Sequence, residues 1–163
     1  MLIRNILEES VRKFDEVKAV KWLNKKEIME RSYGELMENV VSTRKGLLAE
    51  GFEGKHIALI GTSSVEWMES YLGIITGCTT AVPLDAALPC EDLIDLLNRS
   101  DSVALFLSPK LKPYLDAFLE NCPKLQKVWM LQEEVEDAPA KVYGIGELRN
   151  CLLYTSPSPR DTR

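Results

Sequence analysis

The chain has 163 residues, about one domain, and its 45% hydrophobic and 28% charged residues make it too apolar for disorder. The balance of 20 basic against 25 acidic residues leaves a formal net charge of −5 with no basic block, which excludes the electrostatic footprint of a nucleic-acid binder. No apolar run is long enough for a transmembrane helix, and the N-terminal MLIRNILEESVRKF carries early acidic residues without the apolar core of a secretory signal.

Leu2, Ile6, Leu7, Val11 and Phe14 fall on one helical stripe, with Glu8, Arg12 and Lys13 facing away. Lys18 to Leu23 and Glu27 to Tyr33 alternate around the polar turn Asn24-Lys25-Lys26, predicting a β-hairpin ahead of the main body. Ser32-Tyr33-Gly34-Glu35 is a capping box opening a second helix, whose buried face is expected to hold Leu36, Val40, Leu47 and Leu48. Gly51 ends it, because glycine takes the left-handed conformation without a Cβ penalty.

His56 to Gly61 is a short apolar run between turn residues and reads as a buried strand. Ser63-Ser64-Val65-Glu66 reads as a second capping box, opening a helix to about Gly77. That helix has two apolar stripes, one of Val65, Met68, Leu72 and Ile75, the other of Trp67, Tyr71, Ile74 and Cys78. Only a narrow seam of Glu66, Glu69, Ser70, Gly73 and Gly77 is left to face out, so the two apolar sides are expected to be covered, in part by elements beyond residue 150. Thr79 to Leu84 is the next strand, with Pro83 near its end. Leu88-Pro89 predicts a helix with proline in its first position, running through Asp92, Leu93, Leu96 and Leu97 to Ser100.

Val103 to Leu107 is a third strand of this series. Pro109 and Pro113 bracket the opening of a helix with Leu115, Phe118 and Leu119 apolar, and Pro123 closes it. Lys127 to Leu131 is a fourth strand, followed by an acidic loop of Glu133, Glu134, Glu136 and Asp137. A short extended piece, Lys141 to Tyr143, precedes a turn of helix from Gly146 to Arg149. Strands alternating with helices predict an α/β fold with a mostly parallel sheet and flanking helices, preceded by the N-terminal helix and hairpin.

Ligands of such sheets bind beyond the strand C-termini, here Gly61-Thr62-Ser63-Ser64, Leu84 to Leu88, and Ser108-Pro109. The first loop has one glycine and no following lysine, so it matches neither a dinucleotide fingerprint nor a P-loop, and its serines are read as caps. Asp85 reads as a turn former. His56, the lone histidine, reads as structural, which excludes a Ser/His/Asp set. Cys78, Cys90, Cys122 and Cys151 form no Cys-x-x-Cys pair, so they read as free thiols of a reducing cytosol and not as a zinc site.

Several of these residues together resemble the N-terminal part of the AMP-forming acyl-activating (adenylate-forming) superfamily, in particular acyl-CoA synthetases. They are Tyr33 with Glu35-Leu36, Gly46-Leu47-Leu48 and Gly51, Glu66-Trp67, Gly73 and Gly77, Val82-Pro83-Leu84-Asp85, Leu88-Pro89, and Asn98 to Ser100 before the strand VALF. Each is loose alone; their order and spacing make the likeness specific over roughly residues 1 to 150. The resemblance implies that a carboxylic acid is activated with Mg·ATP to an acyl-adenylate and passed to the thiol of coenzyme A. The family's phosphate-loop, metal, ribose and mobile-domain lysine positions all lie later in its sequences. No catalytic, cofactor-binding or metal residue is therefore carried over, and ATP, Mg²⁺ and CoA are expected to bind the intact enzyme and not this fragment.

Tyr154-Thr155-Ser156 resembles the opening of the family's phosphate loop, but Pro157 and Pro159 replace residues whose N–H groups would hold phosphate. Composition also changes at about Cys151, so 151–163 is expected to be a disordered, non-native read-through tail beyond a truncated domain of residues 1–150. The expected partners are a small carboxylic acid substrate and the missing remainder of the same enzyme, in the cytoplasm. Alternatives are a free-standing α/β ligand-binding module and, within the family, a carrier-protein ligase of the D-alanine or amino-acid type.

Overall fold

The computed structural model describes residues 2–132 and 134–150. Its first elements are helix α1 (Ile3–Phe14), the hairpin β1 (Lys18–Asn24) and β2 (Glu27–Ser32), and helix α2 (Tyr33–Ala49). The main body continues with β3 (His56–Ile60), α3 (Val65–Ile75), β4 (Thr80–Leu84), α4 (Cys90–Arg99) and β5 (Ser102–Leu107). A 3-10 helix (Pro109–Tyr114), α5 (Leu115–Asn121), β6 (Lys127–Met130), β7 (Val142–Gly144) and α6 (Ile145–Arg149) complete it.

The five strands β4-β3-β5-β6-β7 form one parallel sheet, and β1-β2 pair antiparallel outside it. The α/β architecture expected from the alternating elements is the one observed. Successive residues of β3 enter opposite cores. Ile57 and Leu59 pack with Ile74 of α3, Phe106, Trp129 and Ile145, while Ala58 and Ile60 pack with Leu93 and Leu97 of α4 and Phe118 of α5. With helices on both faces, the strand is apolar at every position after His56, as a doubly covered parallel strand must be.

The capping box at Ser32 is formed: Glu35 N donates to Ser32 Oγ at 3.1 Å and Ser32 N donates to Glu35 Oε1 at 3.2 Å. Gly51 has φ 82°. Several boundaries move. Asn24 belongs to the strand and Tyr33 to α2, so the hairpin turn is tighter than expected, with Lys25 at φ 56°. Ser64, not Ser63, caps α3 by accepting from Trp67 N, so Glu66 closes no box. Pro89 is the cap residue of α4 and not its first helical residue. Leu48 is 53% exposed, because the face of α2 that packs inward is centred on Leu36, Val40, Thr43 and Leu47.

The larger correction concerns α3. The seam expected to face outward is its contact with α2: Glu69 and Ser70 are fully buried, and Gly73 lies against Thr43. A Cβ on Gly73 would stand 2.7 Å from the Thr43 side chain. Small side chains let two helix backbones approach closely, so the seam packs inward despite its polarity. Among the described residues the most exposed large apolar side chains instead lie at the start of α1 (Leu2, Ile3) and on the hairpin (Leu23, Ile28).

Candidate functional site

The sheet order reverses at β3, since β4 lies on one side of it and β5 on the other. Ligands of open α/β sheets bind beyond the strand C-termini at such a reversal. The loops that meet there are Gly61 to Ser64 after β3 and Ser108-Pro109 after β5, two of the three picked out by sequence. They are drawn tightly together: Ser108 N donates to Ile60 O at 2.9 Å, and a Cβ on Gly61 would come within 2.9 Å of the Ser108 Cβ. Thr62 and Ser63 are exposed beside them, while Ser64 is engaged as a cap. The stacked rings of Trp67 and Tyr71, 5.3 Å apart, rise from the first turns of α3.

Asp85, beyond β4, accepts from Ala87 N at 2.9 Å through Oδ1 and so closes its own turn. His56 stands at the opposite end of β3 and donates from Nδ1 to Ser100 O at 2.7 Å. Asp85 thus forms a turn, as its sequence position predicts. Among the described residues, no cluster of three His, Cys, Asp or Glu is placed to hold a metal ion. The crevice therefore offers hydroxyls and backbone amides that can position a ligand. The tail residues Tyr154-Thr155-Ser156 and Cys151 lie outside the described residues, as does Glu133.

Sequence reasoning missed a buried ionic cluster on the α2 side of the sheet. Glu69 Oε2 accepts from Asn39 Nδ2 at 2.8 Å and lies 3.3 Å from Arg31 Nη1, while Oε1 lies 3.6 Å from Arg149 Nη1. Arg149 Nε also donates to Thr43 Oγ1 at 3.0 Å. Four elements meet there: the hairpin, α2, α3 and α6. Burial pushes the Glu69 carboxyl above its usual range, and the Asn39 hydrogen bond and the two guanidiniums work against that shift. Ser70, Gly73 and Gly77 on the same seam were the available signal, since a run of small residues on one helix face marks a close contact.

The sequence profile described as AMP-binding enzyme matches residues 7–158. By sequence, no curated protein matches the chain. Among solved structures, a coronafacic acid ligase from Pectobacterium brasiliense overlays with TM-score 0.80 at 20% identity, over 100% of this chain and 31% of its own. An anthranilate CoA ligase, AuaEII, in complex with anthranoyl-AMP overlays with TM-score 0.71 at 18% identity, covering 80% of this chain and 25% of that one. The N-terminal domain of FACL13 from Mycobacterium tuberculosis gives TM-score 0.71 at 18% identity, covering 86% and 38%. The chain thus spans 25–38% of the length of these three structures, and at such identities the likeness speaks for the fold. The profile runs from α1 past the last described helix over a sheet of the same architecture, and the chain belongs to the AMP-binding enzyme family.

Proposed function

We propose that residues 1–150 are the N-terminal part of an ATP-dependent, AMP-forming ligase that joins a small carboxylic acid, fatty or otherwise organic, to coenzyme A. The observation that carries this reading is the match to the AMP-binding enzyme profile over residues 7–158, nearly the whole of this chain. A similar structure described as an anthranilate CoA ligase, in complex with anthranoyl-AMP, supports the choice of acceptor. In the proposed reaction the substrate carboxylate attacks the α-phosphorus of ATP and pyrophosphate leaves. The CoA thiol then attacks the acyl carbonyl and AMP leaves. The gain is a good leaving group on a poor acyl donor, and the enzyme's task is alignment and charge neutralisation.

This chain's share of that task is scaffolding. The β3/β5 crevice can orient a bound group through Gly61, Thr62, Ser63 and Ser108. Among the described residues no group of three His, Cys, Asp or Glu stands together, and the crevice hydroxyls alone do not make a Mg²⁺ site. We assign the catalytic and metal-binding side chains to later sequence; Pro157 and Pro159 lack the N–H groups a working phosphate loop needs, while the family match reaches residue 158 and so takes in the start of the segment expected to be foreign. The free thiols Cys78, Cys90 and Cys122 support a reducing, cytoplasmic setting.

Two measurements test the proposal. The genomic reading frame past codon 150 is expected to continue into a Gly-rich Ser/Thr loop followed by lysine; a stop codon there sinks it. The 163-residue chain is expected to give no ATP–pyrophosphate exchange and no micromolar binding of ATP, AMP or CoA in calorimetry. Micromolar binding by this chain alone would favour a free-standing binding module instead.

A further inference from the structure

A cavity of 280 Å³ opens at the opposite end of the sheet from the β3/β5 crevice, where α1 and the last turns of α2 meet the link from α3 to β4. Its wall carries three cations, Arg4, Arg44 and Lys45, against the carboxylate of Glu53, with Glu8 just outside the lining and paired to Arg4. Leu48 and Cys78 line the remainder. Arg4 is held by Glu8, 3.0 Å from its Nε. Arg44 reaches only the Thr76 carbonyl, at 3.5 Å, and among the described residues neither it nor Lys45 has a carboxylate within ion-pair distance.

This concentration of positive charge is a local exception on a chain of net charge −5. Burial, followed by the neighbouring Arg4 guanidinium, pushes Arg44 below the usual guanidinium range. Like charges facing a half-closed cavity repel, and an anion between them relieves that repulsion. Guanidinium forks match phosphate oxygens in pairs, and an ammonium adds a point charge. The volume lies just under the roughly 300–1,000 Å³ of pockets for drug-sized ligands, which suits a phosphate with a short carbon chain. Leu48 supplies an apolar wall for that chain.

We propose that this cavity binds a small soluble phosphate-bearing anion, held by Arg44, Lys45 and Arg4, at a site separate from the strand C-termini. The site does not depend on the ligase reading, because it lies at the other end of the sheet and uses none of the crevice residues.

Cys78, exposed on the cavity wall, is the built-in reporter, and half-buried Cys90 is the internal control. The 163-residue chain is alkylated with iodoacetamide at constant ionic strength, and each cysteine is followed by peptide mass spectrometry. Replacing chloride with inorganic phosphate or glycerol 3-phosphate is expected to slow Cys78 severalfold and leave Cys90 unchanged. Lys45→Gln and Arg44→Gln should each raise the phosphate concentration needed by about tenfold, the usual scale for losing one charge-assisted contact. Lys45 is exposed, so its variant keeps the test valid if the Arg44 variant fails to fold. Equal protection by chloride, wild-type protection in the folded Lys45→Gln variant, or protection only by phosphatidic acid vesicles would overturn the proposal.

Discussion

Glu69 sets the most demanding condition at the level of single side chains. It is the acceptor shared by Asn39, Arg31 and Arg149 in a fully buried setting. Glu69→Ala is expected to cost about 3 kcal/mol, the scale for removing one partner of a buried ion pair, read as a lower urea midpoint. The pH dependence follows from the direction of its shift. A carboxyl raised in the folded state holds its proton more tightly than in the unfolded chain, so its contribution is full below the unfolded value near 4.5 and is lost as pH rises through the folded value. Glu69→Gln should flatten that part of the stability profile; a Gln variant with the wild-type slope would remove Glu69 from the account. Hydropathy assigned this residue to solvent because a helical wheel scores polarity and cannot see two arginines arriving from β2 and α6. Ser32 and Glu35 were legible for the opposite reason: their partners lie within one turn of chain.

Among the elements, α3 shows where local patterning runs short. Its span and its start near Ser63-Ser64 follow from the residues, but the cap is one position later than expected, at Ser64, whose Oγ accepts from Trp67 N. Ser64→Ala should cost about 1 kcal/mol and Ser63→Ala nothing measurable, in thermal melts followed by circular dichroism. The reverse order would restore the Ser63–Glu66 box. Two adjacent serines satisfy the same sequence rule, and the strand that delivers the chain to the helix decides between them. The packed face of α3 follows the same logic. Of its apolar stripes, Trp67, Met68, Tyr71, Leu72 and Ile75 remain half-buried, while Gly73 and Ser70 admit α2 because closeness of approach, and not polarity, sets which side can meet another helix.

Over the described residues, most of the exposed large apolar side chains lie on or beside α1 and the hairpin. Leu23 and Ile28 sit opposite each other in register, 69% and 73% exposed, and Leu2 is 70% exposed. The chain is therefore expected to enhance the fluorescence of an apolar-surface dye. The double variant Leu23→Lys, Ile28→Lys should lower that signal and leave the thermal midpoint nearly unchanged, since exposed side chains contribute little to stability. An unchanged dye signal would place the sticky surface elsewhere. The expectation of uncovered surface on α3 came from counting apolar stripes, which gives no account of how α1 and the hairpin project from the sheet.

The sequence by itself determined the alternation of strands and helices, the α/β class, the parallel sheet with both faces covered, and the capping box at Ser32. Those features depend on periodicity and on contacts within a few residues of chain. Its spaced motifs also carried the family resemblance, and the match over residues 7–158 bears that out. The tertiary structure alone decided the strand order β4-β3-β5-β6-β7, and with it which two loops meet at the reversal. It also decided the inward turn of the α3 seam, the burial of Glu69 among residues from four elements, and the gathering of Arg4, Arg44 and Lys45 around one cavity. Each of those depends on groups far apart in the chain, and no local spacing records which distant residue will arrive or from which side.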